Sequence, residues 1–330
     1  MKNRNEYYDF IRGVAIVFVI GIHTFARNVS DEGFVMHAQV LLRQVFNCAV
    51  PLFLAISGFF LGRLELSSRA DRVAFWKKQI PKIYTPCLLW SLYYLHKDIF
   101  IYDKPVVGSI INYMLCGSGV YYFILVMLQL YFLLPFIKRF CNKAGTWVFI
   151  ALSFAAVLAM NIYFTELRGV PVGKLIATLG YAPLWIGFFA LGIHLAVHSK
   201  REYRLAPFVI LTVVGLSLSF FETGWWPEAM RERMGYKLSA FIFSYGVIIL
   251  LFSKKAEGAY AKSGGVIKSA LSYVGRISFG IYLMHALVIK NVPSWGWAAQ
   301  IALTLGIAVA IIAAVKRLIP NFSKKYLGFF

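Results

Sequence analysis

The 330 residues are 60% hydrophobic and only 15% charged, which leaves too little polar surface to cover a water-soluble globule of this size. Lysine and arginine outnumber aspartate and glutamate by 34 to 14, so the formal net charge is +20. The basic residues occur in short clusters between apolar runs, which is typical of cationic loops held on one face of a bilayer. This pattern predicts a membrane protein that contacts anionic lipid, rather than a nucleic-acid-binding protein.

Apolar runs of spanning length are the main signal along the chain, because a hydrocarbon core of about 30 Å needs roughly 20 residues of helix. In this sequence such runs are bounded by charges, Pro or Gly. The shorter run at residues 106–115 predicts an interfacial or re-entrant segment instead of a span. The ten predicted spans are residues 10–26, 40–61, 83–101, 121–136, 146–164, 175–197, 205–221, 238–252, 271–289 and 297–315.

The distribution of charge predicts the orientation of these spans. With the N-terminus inside, the inner segments hold 24 bases and 6 acids, whereas the outer segments hold 10 bases and 8 acids. A shift by one span would invert this balance, so the even count follows from the positive-inside rule. The sequence thus predicts an all-α polytopic transmembrane bundle of about ten helices, with both the N-terminus and the C-terminus cytoplasmic.

No additional module is evident in the sequence. The first apolar run is not expected to be a signal peptide, since Thr24-Phe25-Ala26 is a poor cleavage site and loss of this run would reverse every later helix. The four cysteines are widely separated and form no CxxC or Cys/His pattern, so we predict neither a disulfide framework nor a metal site. Residues 1–330 are expected to form a single membrane-embedded domain.

Two histidines lie inside predicted spans, where an ionisable side chain costs roughly 2.5 to 3.5 kcal/mol on insertion scales and is a functional candidate. His23 follows Arg12 by eleven residues, roughly 16 Å of helix, and His285 follows Arg276 by nine, roughly 13 Å. Both spans run outward, so the two imidazoles are predicted to reach similar depths. The structural alternatives are packed, hydrogen-bonded core histidines and a simple interfacial role for Arg12.

Four motifs surround these residues in chain order. Residues 9–13 read Asp-Phe-Ile-Arg-Gly, ten residues separate Arg12 from His23, and residues 51–61 read Pro-Leu-Phe-Leu-Ala-Ile-Ser-Gly-Phe-Phe-Leu. Residues 82–86 read Lys-Ile-Tyr-Thr-Pro, and residues 279–285 read Phe-Gly-Ile-Tyr-Leu-Met-His. Together they resemble the signatures of the acyltransferase-3 family of integral membrane O-acyltransferases, which includes bacterial surface-polysaccharide O-acetyltransferases.

The resemblance has two departures. Many members carry an Arg-x-x-Arg pair, for which this chain offers both Arg69 with Arg72 and the segment from Lys78 to Lys82, so the equivalent pair stays ambiguous. The fourth predicted span lacks the Trp that is often found there. Ser57-Gly58 also has a structural reading, because small residues allow close packing of membrane helices.

The resemblance implies a function and a location. Family members pass an acyl group, usually acetyl, from cytoplasmic acyl-CoA to a hydroxyl of an extracytoplasmic or lipid-linked glycan. It therefore implies an acyl-CoA-dependent O-acetyltransferase, a transferase of groups other than aminoacyl groups, with acetyl-CoA as donor and no metal. The expected location is the plasma (bacterial inner) membrane, as a multi-pass protein that modifies a polysaccharide of the cell envelope.

The residues suggest how such a reaction would proceed. Arginine and lysine suit the phosphates of coenzyme A, and His23 is the expected general base, although an acyl-His intermediate remains an alternative. Ser57, Tyr282 and His285 are candidates for orienting His23 or for stabilising the oxyanion, and Asp9 for fixing the rotamer of Arg12. The candidate CoA-binding residues are Arg12, Arg69, Arg72, Lys78 and Lys82.

Acceptor recognition is expected at the outer side, where aromatic faces suit sugar rings, although an interfacial aromatic belt would place tryptophan there too. A rival function is a transporter or flippase of lipid-linked glycan or another anionic substrate, in which the histidines relay protons. The lack of an internal repeat argues against it, and no appended domain favours a sensor or scaffold. The candidate acceptor-binding residues are Glu222, Trp225, Trp226, Glu228, Glu232 and Trp295.

Overall fold

The computed structural model describes residues 5–25, 33–117, 119–166, 181–198, 204–225 and 236–330. These ranges consist of α-helices and short connections, with one 3-10 turn and no β-strand, so the prediction of an all-α fold is confirmed. The first half contains α1 (Glu6–Phe25), α2 (Gly33–Phe46), α3 (Ala49–Gly62), α4 (Arg69–Phe100), α5 (Val106–Met114), α6 (Tyr122–Phe140) and α7 (Lys143–Glu166). The second half contains α8 (Tyr181–Val197), α9 (Ala206–Trp225), α10 (Leu238–Leu251), α11 (Lys254–Lys262), α12 (Val266–Arg276), α13 (Ser278–Asn291), α14 (Trp297–Leu318) and α15 (Pro320–Tyr326).

The number of spans differs from the prediction. Within the described ranges, six helical segments are long and apolar enough to cross a membrane, or eight if two sharply bent helix pairs each count as one span. The third predicted span lies in α4, which is long but is not among these segments, and the sixth is the short apolar α8, with residues 175–180 outside the described ranges. A multi-pass membrane fold is therefore supported, whereas the count of ten is not confirmed.

The ninth predicted span, residues 271–289, is not one continuous helix. The chain bends by 85° between α12 and α13, so the expectation of a straight rise from Arg276 to His285 is wrong. The reason lies in α12, whose Val266 and Ile267 are 85% and 76% exposed while Val274 and Gly275 at its other end are buried. This short amphipathic helix packs against α1 and turns the chain, and the rise toward His285 begins only at Ser278.

Glycine permits the close approach of α12 to α1. A Cβ on Gly275 would lie 1.7 Å from the carbonyl oxygen of Asp9, and one on Gly13 would lie 2.0 Å from that of Leu271. Because each glycine faces the backbone of the other helix, the two axes come closer than any side chain would allow. This contact fixes the start of α13 beside α1, and the two helices then rise together.

A second glycine contact joins α3 to α8. A Cβ on Gly58 would lie 2.1 Å from the carbonyl oxygen of Phe189, and one on Gly192 would lie 2.1 Å from that of Ala55. The side chains around this contact, including Leu54, belong to the largest buried apolar cluster. α3 is therefore held firmly on one face, while its opposite face turns toward α1 and α6.

The α1–α12 contact gives a stability prediction. We expect Gly275→Ala to lower the free energy of unfolding by about 1–3 kcal/mol, because the added methyl group meets the Asp9 carbonyl, which is backbone and cannot rotate away. The matched control is Gly258→Ala in α11, where a Cβ meets nothing within 4 Å. Thermal unfolding in lipid nanodiscs measures both variants. Equal midpoints would contradict the close packing.

Candidate active site

Two histidines from different helices, one of them fully buried and the other partly buried, form the centre of the site. The ring centroids of His23 on α1 and His285 on α13 are 5.1 Å apart, with the planes inclined by 46°. His285 is fully buried, and its Nδ1 lies 2.5 Å from the carbonyl oxygen of Tyr282. Since a carbonyl can only accept, Nδ1 carries the proton of this hydrogen bond. Among the described residues, His285 Nε2 has no hydrogen-bond partner.

Two tyrosines hold α13 in place beside the start of α6. The Tyr282 hydroxyl donates to the carbonyl of Val120, and the Tyr121 hydroxyl donates to the carbonyl of Leu283 at 2.7 Å. These reciprocal bonds tie a turn of α13 to the segment that precedes α6. The Tyr282 ring also lies 5.7 Å from the His285 ring, so Tyr282 contacts the histidine pair directly.

A cavity of about 170 Å³ connects Tyr282 to Arg12. Three of the residues singled out from the sequence line it together, namely Arg12, Ser57 and Tyr282. The cavity lies between α1, α3, α4, α6 and α13, and apart from these three residues its wall is largely apolar. The other lining residues are Val19, Val50, Phe53, Ile83, Phe123, Ile124, Met127, Tyr131, Ser278 and Phe279.

Arg12 sits in this wall with its position constrained on two sides. Its Nη1 donates to Asp9 Oδ1 at 3.0 Å, and its guanidinium carbon lies 5.1 Å from the centre of the Phe60 ring. The Asp9 side chain is 1% exposed and that of Arg12 is 27% exposed. A buried carboxylate thus holds a guanidinium that remains accessible, one turn apart on the same helix.

The two residues of the Ser57-Gly58 pair in α3 have different surroundings. Gly58 provides the close contact with α8 described above, whereas Ser57 is partly exposed and lines the cavity. Phe53, one turn earlier on the same face, lines the cavity as well. Close helix packing therefore explains the glycine, whereas the serine faces the cavity, where a ligand could contact it.

A second, larger opening lies next to the cavity and is strongly basic. It is a cleft of about 500 Å³ between α4 and α15, and we call it the basic cleft. Lys82 and Ile83 are consecutive residues of α4, the first lining the cleft and the second lining the cavity. The residues lining the cleft are Lys78, Pro81, Lys82, Thr85, Asn321, Lys324, Lys325, Tyr326 and Phe330.

Two stacked aromatic rings complete the wall between the cleft and the cavity. Phe279 lines the cavity, Phe330 lines the cleft, and their centroids are 5.6 Å apart with the planes inclined by 14°. The Nζ of Lys82 lies 4.5 Å from the centre of the Phe330 ring. The cleft and the cavity are thus separated by the thickness of one aromatic pair.

The other basic pair considered from the sequence lies elsewhere. Arg69 is exposed at the start of α4, and Arg72 Nε donates to the Ser68 carbonyl at 3.1 Å. Ser68 and Asp71 form a capping box, and the hydrogen bonds from the Ser68 hydroxyl and backbone hold the pKa of Asp71 below its usual value. Arg69 and Arg72 line neither the cleft nor the cavity.

The residues considered for acceptor binding are only partly described. Glu222 accepts from the Ser239 hydroxyl, and Trp295 is 71% exposed. Trp225 is the last residue of α9, and Trp226, Glu228 and Glu232 lie outside the described ranges.

Sequence reasoning missed four basic residues. Lys324 and Lys325 extend the basic cleft from the C-terminal side, where the sequence shows only an ordinary basic tail. Arg43 and Lys237 are buried, with 8% and 1% exposure. The sequence does contain a signal for Arg43. It is a cation inside a predicted span, and ionisable residues within spans are functional candidates, as the histidines are.

The sequence comparisons show which family the chain belongs to. A family model described as an acyltransferase domain, that of the acyltransferase-3 family, matches residues 5–315. The chain belongs to this family, and an acyltransferase function is supported. Within the described residues, no group of three or more His, Cys, Asp or Glu is placed to hold a metal ion.

Two relatives illustrate the range of the similarity. The chain is 25% identical over 329 residues to a "putative acetyltransferase" of Acidianus two-tailed virus, covering 94% of this chain and 89% of the relative. It is 20% identical over 306 residues to a "probable poly-beta-1,6-N-acetyl-D-glucosamine export protein" of Staphylococcus aureus strain Mu50, covering 88% and 84%. No solved structure matches the chain.

The tyrosine pair gives a prediction for the site. We expect Tyr282→Phe to lower the free energy of unfolding by about 1 kcal/mol, because the Val120 carbonyl loses its donor. Tyr273→Phe on α12, where the side chain is 36% exposed, is the matched control. Thermal unfolding in nanodiscs compares the two. A Tyr282 variant as stable as the control would mean that this bond does not hold α13.

Proposed function

We propose that the protein transfers an acyl group, acetyl in the first instance, from cytoplasmic acyl-CoA to a hydroxyl of an extracytoplasmic or lipid-linked glycan in the bacterial plasma membrane. The observation that carries this proposal is the sequence of contacts from the basic cleft, through the stacked Phe279–Phe330 pair and the cavity, to the histidine pair. The proposal places both termini and the basic cleft on the cytoplasmic side, as the positive-inside rule requires.

The basic cleft suits the phosphates of coenzyme A. Lys78, Lys82, Lys324 and Lys325 line it from two helices and bring four positive charges to one opening. Lysine binds phosphate as a flexible point charge, so a cluster of lysines accepts a polyphosphate without one fixed geometry. The cleft is open to water, which makes this binding sensitive to ionic strength.

The cavity suits the thioester end of the same donor. Its walls are mostly apolar, as the pantetheine arm and an acetyl group require, and it is narrow at about 170 Å³. Arg12 and Ser57 supply polar groups along it, and Tyr282 leads to the histidine pair. Arg12 is the residue that would meet the donor between the phosphates and the thioester.

His23 is the proposed general base. It accepts the proton of the acceptor hydroxyl as the hydroxyl oxygen attacks the thioester carbonyl, and the C–S bond then breaks. The imidazolium returns the proton to the departing CoA thiolate, so His23 ends neutral. His285, whose Nδ1 is fixed by the Tyr282 carbonyl, orients the pair. Attack by His23 itself, giving an acyl-imidazole, is the alternative chemistry.

Export of a polysaccharide is the second candidate function. It is favoured by the name of the staphylococcal relatives, which are described as poly-N-acetylglucosamine export proteins. The apolar, narrow cavity argues for a thioester arm rather than a glycan chain, because sugar hydroxyls need polar partners along a path. The two functions share a glycan substrate and differ in whether acyl-CoA binds.

Measurement of acetyl-CoA binding tests the proposed role of the basic cleft. We expect Lys82→Gln and Arg12→Ala each to weaken acetyl-CoA binding by about ten- to a hundredfold, because each removes a charge-assisted contact of roughly 1.5–3 kcal/mol. Isothermal titration calorimetry in nanodiscs measures the affinity. Lys255→Gln, an exposed lysine of α11 outside the cleft, is the control and should bind as the wild type does. A wild type that does not bind acetyl-CoA would contradict the enzyme proposal and favour export.

Transfer tests the base. We expect His23→Ala to insert, fold and bind acetyl-CoA with wild-type affinity while losing acyl transfer by a factor of about 10²–10⁴, since proton transfer is lost. Mass spectrometry of the envelope glycans of cells carrying each variant measures transfer as an added acetyl mass. Full transfer by His23→Ala would remove His23 from the mechanism and leave His285 as the candidate base.

A further inference from the structure

Arg43 on α2 lies opposite the histidine pair. α1 and α2 pack with opposite directions: Phe46 stacks on Phe18 at 4.7 Å, whereas Val40 packs against the cluster of Phe25 and Trp297. Arg43 is three residues from each of Val40 and Phe46, so it shares their helical face. It therefore faces the part of α1 between residues 18 and 25.

The contacts of Gly21 place Arg43 more narrowly. A Cβ on Gly21 would lie 2.3 Å from the Phe46 ring, so α2 touches α1 two residues before His23. One turn of α2 further toward Val40, Arg43 comes close enough to His23 for its charge to act on the imidazole. Its charge also interacts with Tyr122 at the start of α6.

The Arg43 guanidinium is buried, and only part of its hydrogen-bonding capacity is used. Arg43 is 8% exposed, and its Nη1 donates to Asn47 Oδ1, one residue past the end of α2. A guanidinium has five N–H donors, so this bond leaves most of them for another acceptor. In the described part of the chain, no carboxylate forms an ion pair with Arg43.

A hydrogen-bonded network fixes this side of α2. Asn47 Nδ2 donates to Gln44 Oε1 at 3.1 Å, and the Ser219 hydroxyl of α9 donates to the same oxygen at 2.8 Å. Lys237, at the start of α10, donates to the Ser219 carbonyl at 2.5 Å. The network spans three helices and holds the polar face of α2, and with it Arg43, in one orientation.

Other cations near the site are already compensated. Arg12 is paired with the buried Asp9, and Lys237 donates to Ser219 and Thr223 and is attracted by Glu222. Within the described residues no carboxylate pairs with Arg43, and Lys237, whose charge interacts with that of Arg43, is itself a cation. A buried charge is unfavourable unless an opposite charge meets it. An anion that exists only during the reaction would supply that charge.

We propose that Arg43 is a further catalytic residue, whose guanidinium donates to the thioester carbonyl oxygen as negative charge develops there. This rests on the proposed function. The acceptor oxygen bonds to the carbonyl carbon while its proton goes to His23, and the carbonyl electrons move to oxygen, where Arg43 stabilises them. Collapse restores the C=O bond, breaks the C–S bond and expels the CoA thiolate, which takes the proton from His23. A fixed cation in a water-poor site is well suited to this task.

The test compares three variants in inside-out membrane vesicles, which retain membrane-bound acceptor. Release of the CoA thiol from saturating acetyl-CoA gives kcat, and titration calorimetry on purified protein gives acetyl-CoA affinity. We expect R43Q to lower kcat about 10²–10³-fold with unchanged affinity, as for loss of an oxyanion-stabilising donor. R43K should recover part of kcat because it keeps the charge. N47A should lower kcat less than R43Q, since it only loosens the guanidinium.

Two results would overturn the inference. One is a wild-type kcat in R43Q. The other is an equal loss in R43K and R43Q with lowered thermal stability in both, which would mean that Arg43 only maintains the fold. A wild type that releases no thiol contradicts the proposed function instead, so the two failures are distinguishable. Arg317→Gln, on the last turn of α14, is the control for a lost positive charge outside the site.

Discussion

The close contact between α1 and α12 determines where the rest of the site lies. Gly13 and Gly275 let the two backbones meet, and the 85° bend after α12 then sends α13 along α1. Two histidines that are 262 positions apart in the chain can face each other only because these helices start at the same level and stay adjacent. Substitution of either glycine would therefore affect the site by displacing α13 along α1, because neither glycine would contact a ligand.

Several polar groups inside the bundle are held by a neighbouring helix. Tyr282 and Tyr121 donate to backbone carbonyls across the contact between α13 and the segment before α6. The Ser219 hydroxyl of α9 donates to the side-chain oxygen of Gln44 on α2. In the hydrocarbon core a polar group cannot form hydrogen bonds with water, so bonds between helices determine which helices can be neighbours. The cavity lies between helices that are fixed by contacts on their other faces.

Much of this arrangement was predictable from the sequence, and the reasons for the rest are physical. Composition and apolar runs predict an all-α membrane fold, and the motif around Arg12 and His23 predicts the family, because both signals are local. The bend after α12 was not predictable, since residues 271–289 have the hydropathy of a span and the break depends on how Gly275 packs against α1. The basic cleft joins α4 to α15, and only the fold shows that the lysines of the C-terminal tail face Lys82.

The stacked pair of Phe279 and Phe330 has a consequence for the permeability of the membrane. Gly328, with φ of +73°, brings its backbone so close to Phe279 that a Cβ there would lie 2.7 Å from the ring, and this turn presents Phe330 to the stack. Under the proposed function, a passage for a thioester arm is also a passage for protons and ions unless it is plugged. The aromatic pair is an apolar barrier at the point where the basic cleft ends, and it would limit such leakage between turnovers.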